Sequence, residues 1–141
     1  MTNDIPAAMR DAVRERAGDL CEYCLFPEAE SFFPFGPDHV FAIKHRGPTE
    51  LMNLANSCIE CNRFKGTDIA SIDPESGLIV RLFHPRRDRW ADHFEMSASL
   101  ILPQTDVGRV TVNLLQFNRP KLVAIRGLLI EKGRYPLSVG E

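Results

Sequence analysis

Two cysteine pairs, Cys21-Glu22-Tyr23-Cys24 and Cys58-Ile59-Glu60-Cys61, constrain this 141-residue chain more than any other feature. Two residues between cysteines let one tight turn aim both thiolates at a single tetrahedral ion, and two such pairs complete its shell. Four thiolates leave no open coordination position, so the expected ion is a structural zinc held by Cys21, Cys24, Cys58 and Cys61. The 33 residues between Cys24 and Cys58 then form a loop closed by metal. A closed loop matters in a small domain, whose core alone does little to fix its segments. Ordinary buried thiols or a redox CxxC would account for one pair but poorly for two.

The chain length suits one domain, 1–141, with 44% hydrophobic and 26% charged residues. The opening MTNDIPAAMRDAVRERAG mixes acids and bases without an apolar segment, which is not a secretory signal, so a cytoplasmic location with reduced thiols is expected. No apolar run approaches the ~20 residues of a membrane span. A formal net charge of −2 argues against a generic nucleic-acid coat, but local basic stretches remain: Lys44-His45-Arg46, Arg63 and Lys65, and Arg81 to Arg89.

Along the chain, Pro6 to Ala17 reads as a helix capped by Asn3 or Asp4 and stopped at Gly18. Ser31 to Ile43, broken by Pro34, Gly36 and Pro37, reads as two short strands, the second carrying Asp38 and His39. Glu50 to Asn56 reads as a helical turn capped by Thr49, and Cys58 to Lys65 as a short helix ended by Gly66. Leu78 to Phe83 and Glu95 to Leu102 are strand candidates for a hairpin-like extension joined by the basic segment HPRRDRW. Apolar residues at helical spacing from Val107 to Phe117 and from Leu122 to Leu129, punctuated by Asn118-Arg119-Pro120, predict a C-terminal helical hairpin.

Within and just past the zinc loop stand Asp38-His39, Asn53 and Asn62. In that order, and framed by the two CxxC pairs, the segment FPFGPDHVFAIKHRGPTELMNLANSCIECNRFKG resembles the HNH endonuclease family, a branch of the ββα-metal nucleases, in its HNN variant. The likeness runs from about Cys21 to Gly66. It implies an α+β fold: a zinc-stapled ββα-metal core with an N-terminal helix, a small β extension and the helical hairpin, 67–141 forming the C-terminal extension. It also implies phosphodiester hydrolysis with His39 as general base, a neutral imidazole being suited to take a proton from water near pH 7. By the same resemblance Asp38 and the Asn62 amide oxygen hold a divalent ion, and Asn53 orients the base. Two oxygen ligands favour magnesium or manganese.

The resemblance further points to Lys65, and its place on the same short helix to Arg63, as phosphate contacts; Arg86 and Arg87 are basic-segment candidates for the same role. His45, His84 and His93 lack sequence partners, His84 being the best placed beside Pro85-Arg86-Arg87. Trp90 and Phe94 read as core anchors. The expected substrate is DNA, with RNA not excluded, and no membrane partner. The alternative is a noncatalytic zinc-ribbon module that binds nucleic acid or protein.

Overall fold

The computed structural model describes residues 5–136. The element order is α1 (Ala7–Arg16), β1 (Gly36–His39), β2 (Leu54–Ser57), α2 (Ile59–Lys65), β3 (Ala70–Ile72), β4 (Ile79–Arg81), α3 (Trp90–His93), β5 (Phe94–Ser97), β6 (Leu100–Pro103), α4 (Asp106–Leu114) and α5 (Pro120–Glu131). The strands form three separate antiparallel pairs, β1-β2, β3-β4 and β5-β6, so the fold is α+β. No described helix is long and apolar enough to cross a membrane.

Helix α1 follows Pro6, which stands at its N-cap with an extended ψ of 147°, and gives way to Gly18 at φ +62°. The suggested caps Asn3 and Asp4 lie outside the described residues. The helix packs on the β1-β2 pair, where Val13 meets Leu54 and Ile5 in a small cluster of its own.

The ββα unit is present, with a different first half from that expected. Residues 31–35 make no strand, and the partner of β1 is β2, reached across residues 40–53 and paired from Gly36 opposite Ser57 to His39 opposite Leu54. Only Leu51–Asn53 keeps the expected helical character, as a single 3-10 turn. The strand identity of Leu54–Ser57 comes from its ladder and its burial on all four residues, not from its composition. The loop between the strands closes tightly at Gly47. A Cβ there would lie 1.7 Å from the Phe41 carbonyl oxygen and 2.9 Å from Asn53 Nδ2, so only glycine fits.

The single expected hairpin extension is two hairpins. The apolar run after Gly77 finds its partner in Ala70–Ile72, across a turn organised by Asp73. Asp73 accepts from the Glu75 amide and the Ser76 hydroxyl, and Arg109 of α4 grips both its oxygens at 3.0 and 2.9 Å. Glu95 to Leu102 is likewise not one strand; it folds back between Ser97 and Leu100, with Ala98 at φ +52° in place of the usual turn glycine.

The C-terminal helices form as expected. Thr105 caps α4 through the Gly108 amide, and Pro120 opens α5. One core then runs from the cysteine turns through Phe83, Trp90, Phe94, Ile101 and Phe117 to Leu129 and Tyr135. Buried Arg126 ties its parts together, donating to the carbonyls of Ser99 and Phe117 at 2.7 Å each. Trp90 and Phe94, 5% and 1% exposed, are core anchors.

Candidate active site and metal centre

The four cysteine sulfurs lie within 4.8 Å of one another, and all four residues are buried. Zn–S bonds of about 2.3 Å in a tetrahedron place sulfurs ~3.8 Å apart. Cys24 Sγ and Cys58 Sγ are 3.8 Å apart. In each pair a backbone amide points at the first sulfur, Cys24 N to Cys21 Sγ and Cys61 N to Cys58 Sγ, the pattern of a knuckle that stabilises thiolate. Hydrogen bonding to Cys21, with burial adding to it, holds the Cys24 and Cys61 thiols well above the ordinary range, so four thiolates coexist only around a cation. The donor set fits structural zinc.

The knuckles join strand, helix and extension. Glu22 donates its amide to the Asn56 carbonyl, accepts the Asn56 amide on Oε1, and pairs with Arg86 through Oε2. The Trp90 indole donates to the Tyr23 carbonyl at 2.8 Å, and the Tyr135 hydroxyl donates to the Cys24 carbonyl. The first cysteine turn is thereby held from below by the C-terminal extension.

Asp38, His39 and Asn62 line one open pocket of about 510 Å³, with Arg10, Lys44 and Thr67 also on its wall. The pairing of β1 with β2 and the start of α2 straight after β2 bring these side chains together across 24 residues of sequence. Asp38 is 7% exposed, and its Oδ2 accepts from the Tyr23 hydroxyl at 2.8 Å and from Lys65 Nζ at 3.1 Å. Burial raises its pKa, while Lys65 and Tyr23 oppose the rise. The Tyr23 phenol, driven up by burial and next by Asp38, remains a donor.

His39 is half-buried, and its Nε2 lies 2.9 Å from Thr49 Oγ1. Burial lowers its pKa, with Asp38 opposing the shift, so the imidazole is neutral near pH 7. Asn53, 4% exposed, accepts from the Phe41 amide and donates to the carbonyls of Phe41 and Pro48. It thus fixes the backbone two residues after His39 and the residue before Thr49. It makes no direct bond to the imidazole. Asn62 is exposed on α2, and its side-chain amide bonds none of the described residues.

The basic residues divide. Lys65 does not reach solvent: it is 1% exposed, ion-paired with Asp38, and bonded to the His39 carbonyl at 3.2 Å. The expected phosphate contact is therefore corrected to an internal one, because Lys65 sits one helical turn after buried Cys61, on the same face. Arg86 is largely enclosed and paired with Glu22. Arg63 and Arg87 are exposed, Arg63 bonded to Glu60 and Arg87 lying 5.0 Å over the Phe41 ring. His84 is buried, its Nδ1 accepting the Arg86 amide, and burial pushes its pKa down to about 4, which makes it a neutral structural residue. His93 bonds Thr105 and His45 the Thr67 carbonyl.

Tyr23 and Thr49 are the site neighbours that sequence reasoning missed. Tyr23 carried no signal beyond lying inside a CxxC, and Thr49 read as a helix cap.

Residues 21–68 match the sequence model of the HNH endonuclease family. The Septu protein PtuA of Bacillus mycoides (strain KBAB4) is 33% identical over 103 residues, which cover 65% of this chain and 14% of that protein. The chain thus spans a small part of that relative's length. No solved structure matches it.

Proposed function

We propose that this chain is a metal-dependent endonuclease of the HNH type that hydrolyses phosphodiester bonds in DNA, working in the cytoplasm. The observation that carries the reading is the convergence of Asp38, His39 and Asn62 on one pocket, within the segment that matches the HNH endonuclease model. The likeness to a Septu protein supports placing the chain in a Septu-type system.

His39 acts as the general base. If its Nε2–H is donated to Thr49 Oγ1, the lone pair sits on Nδ1, which takes the proton from the attacking water. Lowered basicity keeps that nitrogen unprotonated at neutral pH. Asn53 is a positioning residue, holding the backbone on both sides of the His39-Thr49 contact. Asp38 and the Asn62 amide oxygen are an oxygen donor pair suited to magnesium or manganese, which when bound would neutralise charge building on the scissile phosphate and the departing oxygen. Zinc in the cysteine site holds α2 against the β1-β2 pair and takes no part in the reaction. Arg87 and Arg63, both exposed, are assigned to the phosphate backbone, whereas Lys65 and Arg86 are held in internal ion pairs with Asp38 and Glu22.

The test is a plasmid-nicking time course across a manganese titration. His39→Ala should lose about 10²- to 10⁴-fold in cleavage with zinc content and DNA affinity retained. Asp38→Asn, chosen over alanine so that Lys65 is not left facing a void, should cut poorly at low manganese and recover partly as manganese rises. The rival reading is a noncatalytic zinc-ribbon module. Wild-type rates in His39→Ala, or wild-type protein that cuts no nucleic acid with any divalent ion, would establish that rival.

A further inference from the structure

We infer that Tyr23 and Lys65 are positioning residues that jointly pin Oδ2 of Asp38, leaving Oδ1 as the oxygen that meets the divalent ion. The inference rests on the nuclease reading and goes past it, by making the zinc knuckle set the ion affinity of the active pocket. Both donors reach the same oxygen, Tyr23 at 2.8 Å and Lys65 at 3.1 Å, and among the described residues no donor reaches Oδ1. A carboxylate free to rotate presents either oxygen; one whose Oδ2 is held twice presents only the other. Asp38 lies on the pocket wall with Asn62, so the unheld oxygen belongs to the ion-binding pair.

Neither donor is free to follow a rotating carboxylate. Tyr23 and Lys65 are both 1% exposed. The Tyr23 backbone is fixed between two cysteines of the zinc cluster, and its carbonyl is bound by the Trp90 indole. A tyrosine has two side-chain torsions, so a fixed backbone and a packed ring place its hydroxyl closely. Lys65 is anchored a second time, at the His39 carbonyl. The ammonium therefore spans the two adjacent residues Asp38 and His39 and fixes the carboxylate relative to the backbone of the base. Position 23, inside the CxxC, thus does more than space two ligands: its side chain carries the rigidity of the zinc cluster to the pocket. Groups that orient a metal ligand commonly change affinity about 10- to 100-fold when removed.

The experiment measures ion binding directly. Manganese is titrated into zinc-loaded wild type, Tyr23→Phe and Lys65→Met, with free Mn²⁺ followed by electron paramagnetic resonance and zinc content and melting temperature recorded for each. The phenyl ring keeps the packing and removes only the hydroxyl. The expected result is retained zinc with manganese affinity weakened about 10-fold or more in each variant, and cleavage by Tyr23→Phe recovering at saturating manganese. Unchanged manganese affinity with a lowered melting temperature means the two residues only support the fold, and overturns the inference. If Tyr23→Phe fails to retain zinc, Lys65→Met decides, because it leaves both cysteine turns intact. Wild type that binds no manganese beside its zinc sinks the nuclease reading itself, whereas wild type that binds and variants that bind equally sink only the pinning of Asp38.

Discussion

The β1-β2 and β3-β4 pairs are both short antiparallel ladders, yet their burial runs opposite to their composition. Strand β2 is Leu54-Ala55-Asn56-Ser57, half of it polar, and all four residues are buried. Strand β4 is Ile79-Val80-Arg81, and Ile79 is 76% exposed, opposite Ile72 at 52%. What separates them is the matter packed around each. Strand β2 lies between α1 and the first cysteine turn, where the Asn56 carbonyl accepts the Glu22 amide, the Asn56 amide donates to Glu22 Oε1, and the Asn56 side chain donates to the Leu20 carbonyl. The β3-β4 pair has α4 on one side and solvent on the other. In the first pair a cysteine cluster suited to zinc and a polar network make a strand out of residues with little strand preference; in the second, strand preference makes a ladder without burying it.

Three substitutions test how deep that contrast goes. Cys58→Ser removes a zinc ligand beside the end of β2 and should release the metal, at a cost on the order of 5 kcal/mol to the fold. Zinc analysis with thermal unfolding checks it, and normal zinc with an unchanged melting temperature would remove the metal from the account of β2. Asn56→Ala should cost about 1–3 kcal/mol, because the part-buried Leu20 carbonyl is left without its donor. Denaturant titration reads this directly; a neutral outcome would mean that packing alone buries the strand. Ile79→Thr should change stability by no more than about 0.5 kcal/mol, since the side chain gains little from the fold. A loss several times larger in the same titration would mean that this face of the hairpin is covered in solution, and the contrast would narrow.

Legibility in the sequence followed the same division. Cysteine spacing, the helix punctuation at Gly18, Gly66 and Pro120, and the periodicity of α4 and α5 act through local chemistry, so they could be read. Leu54–Ser57 could not, because its strand character comes from partners 15 to 34 residues away. The turn at Ala98 was hidden for a related reason: a residue with a Cβ adopts positive φ there. Asp38, His39 and Asn62 were named from their order, and the fold gathers them in one pocket. The inward course of Lys65 was readable and missed, since Cys61 and Lys65 are one helical turn apart and a zinc ligand must face inward. Nothing in the spacing announced that Thr49 would meet His39, because that contact depends on the loop closing at Gly47.

The Tyr135 hydroxyl that bonds the Cys24 carbonyl belongs to a residue 111 positions later in the chain. At ribosomal rates of roughly 5–20 residues per second, about 6 to 22 seconds separate the synthesis of the two. Cys61 is made well before the end of that interval, so all four thiols are in hand while the segment that will brace them is still unsynthesised. The cysteine cluster can therefore be complete, and open to a zinc ion, before the Tyr135 brace on the Cys24 carbonyl exists.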